Sequence, residues 1–528
     1  MKTLKSFLAN KNGLLILALI LSLAMAILFC SMKYGMHIDE LFTYGLSNSH
    51  YAPFVHNIKD AGLEDQVLTH QDFMNYLTVD QNEVFDYKSV FYNQTQDTHP
   101  PLYYCVLNTV SSLFQNTFSK WLGLIPNLMF YLGTVLFLFL SCDKLLNNKR
   151  VAFIASLTYG LSRIALSNML MIRMYMLMVF LTSALILLFV CLMEKPRWYL
   201  YILVLCVVFL GAMTQFYFCI YACFICAAFD LFSLIKKKYK QLVLLSCSAL
   251  AGVVLMIAVY PHILQTLFKN GGNVSGKGML HNLLTPSVWF EKFSSYISSI
   301  VTNYIVALTI GFILLVIIIV WSIKKSRRLQ IDHEILVIAV PAIISLVIII
   351  LISPANSSNY ISNLFLPASI CLAFLISKAA ELTDIQMNKK WIMPVVSAAV
   401  FVICLSLNLV FKPGYLFLGF KEYDDKVDDY YQETCIAYTD SSIPLTQSML
   451  QLLHFKEVFV CDETDSDKLI AYSKANRSDR TIVYVSRVGS MEDLDPEWVA
   501  SEIAKNTGFS AEKELYSFES YSVFLLER

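Results

Sequence analysis

Long apolar runs recur through the first 411 residues of the chain. Each is close to the roughly 20 residues a helix needs to cross the hydrocarbon core of a bilayer. They fall at Leu14–Cys30 and then at roughly 122–141, 151–168, 174–193, 198–214, 216–235, 241–260, 301–322, 334–353, 361–378 and 391–411, and they predict about 11 transmembrane helices. The first run is read as an uncleaved span, because it is long and no small-x-small cleavage site follows it. Basic residues gather between the runs: Lys144/Lys149/Arg150, Lys195/Arg197, Lys236/Lys237/Lys238, Lys324/Lys325/Arg327/Arg328 and Lys389/Lys390. Lys2, Lys5 and Lys11 precede the first run. The positive-inside rule places all of these in the cytoplasm, together with the N-terminus. Parity holds only if Leu102–Phe118, which carries Asn108, Ser111, Ser112, Gln115 and Asn116, does not cross. It reads as a helix lying in the outer leaflet.

Three regions then lie outside: 32–120, 261–299 and 412–528. The tail changes composition abruptly. Strands are expected at Cys435–Tyr438, Glu457–Cys461 and Thr481–Ser486, helices at Leu445–Phe455, Asp465–Asn476 and Pro496–Lys505, and a hairpin at Glu514–Glu527. Alternating strand and helix predict a small α/β sandwich. The expected division is a membrane module, 1–411, with juxtamembrane helices in its loop 32–120, and an extracytoplasmic α/β domain, 412–528. Cys435 and Cys461 fall on neighbouring strands, either as a disulfide or as two free thiols.

Composition sharpens this picture. Hydrophobic residues make up 57% of the 528 and charged residues 15%, with mean hydropathy +0.58. A soluble chain has about 25% charged residues, so a cytosolic enzyme and a disordered chain are excluded. Lys+Arg (40) equal Asp+Glu (40), and no net field calls for nucleic acid. Most of the 13 cysteines sit in apolar runs, and no zinc-type spacing occurs.

Chemistry-bearing residues concentrate at the outer ends of the spans. His37-Ile38-Asp39-Glu40 follows the first span. Paired acids at a membrane face are costly unless used, and a carboxylate there suits a general base for a hydroxyl acceptor. A divalent metal is an alternative use of His37, Asp39 and Glu40, although one segment alone does not build a full ligand set. Asp97-Thr98-His99-Pro100-Pro101-Leu102-Tyr103-Tyr104 opens the interfacial helix, with the prolines stiffening the presentation of Asp97 and His99. Arg173-Met174-Tyr175 and Arg163 flank a short outer loop, where a guanidinium fork suits a lipid phosphate. Lys277, His281 and Lys292 are weaker additions to such a site. Taken singly, each motif also reads as ordinary membrane architecture: a helix cap, an aromatic interface anchor, a snorkelling arginine. Their arrival on one membrane face from three segments favours a site.

These motifs, Asp39-Glu40, His99-Pro100-Pro101-Leu102-Tyr103-Tyr104 and Arg173-Met174-Tyr175, resemble those of the GT-C superfamily, and most closely its protein O-mannosyltransferase and aminoarabinose-transferase group. The likeness covers about the first 220 residues and is looser beyond. It implies a GT-C-like α-helical polytopic membrane glycosyltransferase in the cell membrane, using a polyprenyl-phosphate sugar donor at the non-cytoplasmic face. The acceptor would be a lipid, glycan or protein. By resemblance Asp39 would be the catalytic acid/base carboxylate with Glu40 supporting it or the acceptor, His99 would line the site, and Arg173 with Tyr175 would face the donor phosphate. His37, Asp97, Tyr103 and Arg163 are further candidates for substrate or donor binding. The chain departs from the family pattern at Leu170-Met171, where relatives carry Gln-Glu. It departs again at Thr214-Gln215-Phe216 in place of Thr-His-Tyr, and at Asn359-Tyr360 in place of Arg-Tyr. The rival readings are a lipid-linked substrate transporter or flippase and a non-catalytic membrane scaffold. A transporter would place charge at mid-bilayer on broken helices, and that pattern is missing from the sequence.

Overall fold

The computed structural model describes residues 12–54, 65–268, 276–325, 332–383, 392–476 and 478–528. The basic residues at 2, 5, 11, 327, 328, 389 and 390, and the side chain of Lys277, lie outside what is described. The chain divides into two compact units. The first comprises 1–31, 98–103 and 124–414, and the second 32–97, 104–123 and 415–528.

The first unit is helical, as it must be if backbone amides in lipid are to be satisfied within their own segment. Among the described residues, nine helices of the chain are long and apolar enough to cross a membrane: Gly13–Met32, Lys120–Leu146, Tyr175–Glu194, Phe216–Ile235, Tyr239–Val259, Pro286–Lys325, His333–Ile352, Ser358–Thr383 and Ile392–Phe411. The protein is therefore a multi-span membrane protein. Two expected spans take other forms. Trp198–Ala212 has 15 residues. The run 151–168 is not one helix but two, Lys149–Gly160 and Arg163–Leu170, with Ser162 capping the second through Ala165 N–H at 3.4 Å. Hydropathy is blind to that break, since both halves are apolar. Gly160 sits at the break, where a Cβ would come within 2.6 Å of Ser22 Oγ, so the helices approach too closely for any side chain. Leu102–Leu113, at 12 residues and about 18 Å, is too short to span.

The second unit is built on a six-stranded sheet, ordered β1-β3-β2-β4-β6-β5. The strands are β1 Gln66–Thr69, β2 Thr434–Tyr438, β3 Glu457–Cys461, β4 Arg480–Ser486, β5 Ala511–Ser517 and β6 Tyr521–Glu527. Strands β3, β2 and β4 are parallel, and the remaining pairings are antiparallel. The crossovers β2→β3 and β3→β4 run in opposite directions from β2. Right-handed connections then put their helices on opposite faces. Asp467–Ala475 and Pro496–Thr507 cover one face through Ile436, Phe459, Cys461, Val483 and Ile503. Ser442–Leu452 covers the other, where Tyr484 donates to Gln451 Oε1 at 3.0 Å. The tail elements fall where the sequence puts them. The edge strand β1 does not come from the tail; it belongs to the segment between the first two long helices and pairs antiparallel with β3. That segment, grouped by sequence with the membrane module, folds with the sheet. Four residues with three of them exposed carry no alternation that would announce a strand.

Candidate functional site

The acid pair opens the helix Ile38–Asn48 in the second unit, which packs against Ser442–Leu452, His70–Leu77 and Tyr87–Gln94. Eight of its 11 residues are buried. Gly45 lies under the Tyr76 ring, so closely that a Cβ would meet Cζ at 1.8 Å. Its last carbonyls are taken up by asparagines, Asn93 Nδ2 on Leu46 and Ser49 (3.3 and 2.9 Å) and Asn108 Nδ2 on Ser47 (2.9 Å). Those bonds satisfy groups a helix end otherwise leaves bare.

Against this buried frame the two acids separate. Glu40 has no exposed side-chain surface and pairs with equally buried Lys33 at 3.0 Å. It also accepts His37 N–H at 2.7 Å, while Lys33 donates onward to Tyr415 O at 2.7 Å. Asp39 keeps 36% of its side chain exposed, at the positive end of the helix dipole. His37 caps the helix, its Nδ1 accepting Asp39 N–H at 3.1 Å, which leaves Nε2 as the ring's donor. Glu40 is thus a buried counter-ion that sets the helix start, and Asp39 is the acid presented outward. Lys33 was missed by sequence reading, though a signal existed. A lysine just past the first span, where the charge rule expects the outer side, calls for a partner, and Glu40 lies seven residues on. Tyr104 OH donates to Asp97 Oδ2 at 3.2 Å in the same unit.

In the first unit, Pro100 and Pro101 lead into Leu102–Leu113, and Leu102 N–H is received by Met213 O at 3.0 Å. Tyr103, expected to line a substrate, is buried and donates to Asn127 Oδ1 at 3.0 Å. Asn127 in turn donates to Met169 O (3.2 Å) and Met171 O (2.6 Å). Met171 O also receives Arg173 N–H at 2.8 Å. The proline-led segment and the arginine turn are therefore joined through one neutral amide. Arg173 is buried at 8% exposure and Tyr175 at 4%. Arg163 donates Nε to Lys412 O at 2.8 Å, and Ser167 Oγ accepts Gly414 N–H at 2.8 Å. This fixes Arg163 to the end of the last long helix. His99 belongs to the first unit, as do Arg163, Arg173 and Tyr175; His37, Asp39, Glu40 and Asp97 belong to the second.

Two of the three departures from the expected motifs meet, and the third lies two residues from Tyr217. Asn359 Nδ2 approaches Met171 Sδ at 3.3 Å. Tyr360 stacks on Tyr217 with centroids 4.5 Å apart and lies 6.4 Å from Tyr175. Gln215 is buried beside them in sequence, its Oε1 capping Phe216 N–H at 2.7 Å. Among the described residues, no group of three or more His, Cys, Asp or Glu is arranged to hold a metal ion.

Residues 98–272 match the sequence profile of the dolichyl-phosphate-mannose-protein mannosyltransferase family. The whole chain resembles ArnT from Cupriavidus metallidurans, solved in the apo state and bound to undecaprenyl phosphate. The TM-score is 0.52 for both, at 10% identity over 98% of each chain. It also aligns with the Archaeoglobus fulgidus oligosaccharyltransferase tethered to an acceptor peptide. That match covers 98% of this chain and 74% of the other, at 10% identity, and its TM-score of 0.41 is too low to support an inference. Curated proteins yield no match to the chain. The chain thus shares the fold of ArnT, and its segment 98–272 carries the profile of the dolichyl-phosphate-mannose-protein mannosyltransferase family.

Proposed function

We propose that the protein moves a sugar from a polyprenyl-phosphate donor to an acceptor hydroxyl at the non-cytoplasmic face of the cell membrane, with inversion at the anomeric carbon. Asp39 takes the proton of the acceptor hydroxyl as its oxygen attacks that carbon. The bond from the carbon to the phosphate oxygen breaks, and polyprenyl phosphate leaves. Arg173, with Tyr175, offsets the charge gathering on the phosphate. His99 and Asp97 lie on the proline-led approach to this chemistry, and Glu40 positions Asp39 rather than touching the acceptor. The N-terminus is cytoplasmic in this reading and the sheet extracytoplasmic.

The observation that carries the reading is the separation of the two acids. A buried Lys33–Glu40 pair consumes one carboxylate to hold the helix, and the other is left outward on a GT-C fold. The profile match over residues 98–272 supports a lipid-linked donor. So does a cavity of ≈ 430 Å³ in the first unit, apolar in character and lined by Tyr304, Gly311, Phe312, Cys371 and Leu372, which suits an isoprenoid tail. Mass spectrometry of envelope glycans from cells with and without the protein tests the reading. One sugar should be missing in the deletion and in cells carrying Asp39→Asn. An intact glycan profile in both would sink it.

A further inference from the structure

A second cavity, of ≈ 360 Å³, lies wholly within the sheet-bearing unit. We propose that it binds the saccharide portion of the acceptor, so that the acceptor is a glycan or glycolipid. This deepens the transfer reading above and rests on it.

Its walls are aromatic. Tyr34, Phe118, Phe420 and Tyr521 line it. Phe420 is held by edge contacts to Phe417 and Phe518 at 5.3 and 5.1 Å. It is admitted by Gly35, where a Cβ would meet Phe420 Cγ at 2.9 Å. Its polar groups are held in place by their neighbours. Gln451 donates to Asp424 Oδ1 at 2.9 Å, and its Oε1 accepts Tyr484 OH and Tyr516 OH at 3.0 and 2.5 Å. Gln447 donates to Glu519 Oε2 at 3.1 Å and accepts from Ser520 Oγ. Tyr34 hydrogen-bonds Asp424, and partial burial with that bond pushes its phenol up to about 12, so it stays a donor.

These commitments fix each amide in one orientation and leave its second N–H for a ligand, with the Tyr34 oxygen as an acceptor beside Asp424. A sugar ring matches that set: hydroxyls donate and accept, and the C–H face lies on an aromatic wall. The volume lies within the usual range for small-ligand sites, about 300–1,000 Å³. An anion is disfavoured by the Asp424 carboxylate, and the one cation of the lining, Lys120, already donates to Lys33 O. An acyl chain would strand the amides. The wall also runs into the chemistry: Met36 lines the cavity and is three residues, at most about 10 Å of chain, from Asp39.

Saturation-transfer NMR on the full-length protein in detergent tests this without any donor. The probes are trimers of β-1,4-linked glucose, β-1,4-linked N-acetylglucosamine and α-1,6-linked mannose, set against inorganic phosphate and a neutral Ser/Thr hexapeptide. At least one trimer should bind. Tyr34→Ala and Asp424→Asn should each weaken it at least tenfold, while exposed Trp498→Ala on the far helix leaves it unchanged. Both cavity variants change partly exposed side chains, and an unaltered unfolding midpoint confirms that they fold. The proposal is overturned if no trimer binds, if the cavity variants bind a trimer as the parent does, or if they lose phosphate or peptide binding instead. Because no transfer is measured, failure here leaves the role of Asp39 standing, and failure of the Asp39→Asn test leaves this binding result standing.

Discussion

The acid-bearing helix and the arginine-bearing turn both present one charged side chain, and they are built by opposite means. At Ile38–Asn48 the exposed acid is outward and its support is ionic, a dry Lys33–Glu40 pair closed by a backbone amide and a backbone carbonyl. At Met171–Tyr175 the charged side chain is itself buried and the backbone leading into it is tied by a neutral group, the amide of Asn127 joining Tyr103 to Met169 and Met171. Ionic support is costly to break from one side only, because an unpaired charge is left in a dry place. Neutral support fails in smaller steps of about 1–3 kcal/mol for each orphaned group. Substitutions should tell these two designs apart.

The largest expected effect is on chemistry alone. Asp39→Asn should lower transfer by about 10²–10⁴-fold, the usual worth of a positioned general base, with an unchanged unfolding midpoint because the side chain is partly exposed and outside the buried pair. Lys33→Met should do the reverse, costing about 3–5 kcal/mol of stability by stranding Glu40. The double variant Lys33→Met/Glu40→Leu should recover most of that loss, since two apolar groups need no counter-charge. Denaturant unfolding of the three variants in detergent measures it. A Lys33→Met protein as stable as the parent would mean that the pair is not dry.

The contrast also explains what the sequence disclosed. The nine long helices and the strands of the tail were legible, because long apolar runs and short ones bounded by polar residues are properties of local sequence. Asp39, Glu40 and Arg173 were legible as charged residues at the ends of apolar runs. Asn127 was not: an uncharged amide one residue after Pro126 inside an apolar helix looks like any tolerated polar residue, and its meaning lies in Tyr103 and Met171, 24 residues before it and 44 after it. Strand β1 was hidden for the same reason, since its partner β3 lies some 390 residues away in the chain. The break at Leu161-Ser162 was concealed because both helices are equally apolar, and a capping serine within an apolar run resembles a tolerated polar residue.

Asn127→Leu should therefore cost about 2–3 kcal/mol, by taking the side-chain partner from Tyr103 OH and Met169 O and one of two donors from Met171 O. It should also raise the KM for donor as the Arg173 turn loosens. Adding Tyr103→Phe should return part of the stability and none of the donor affinity, because it removes one orphan but does not re-tie Met171. A double-mutant cycle on unfolding midpoint and KM separates the two. Equal recovery of both would show that the amide serves packing only.

The smallest effect concerns the sheet, where an exposed Arg480–Glu527 pair at 3.0 Å ties β4 to β6 and the two cysteines invite a covalent link. Cys435 lies opposite Val458 and Cys461 opposite Tyr438. Cys461 joins the cluster under Asp467–Ala475 and Pro496–Thr507, whereas Cys435 points to the other face, as the alternation of strand side chains requires. Both are free thiols, and no bond can form through the sheet. Reductant should leave the unfolding midpoint unchanged, where a disulfide would be worth about 2–4 kcal/mol. Burial pushes both thiols well above their usual value of 9.0. Their contribution is complete below about pH 9, where thiols in the unfolded chain are also protonated, and it erodes at higher pH as the unfolded chain releases protons that the folded one retains. Cys435→Ala/Cys461→Ala should therefore flatten the alkaline limb of stability by a small amount. Maleimide should label neither thiol until the sheet unfolds, and a label mapped to Cys435 or Cys461 in the native protein would show that it is not buried.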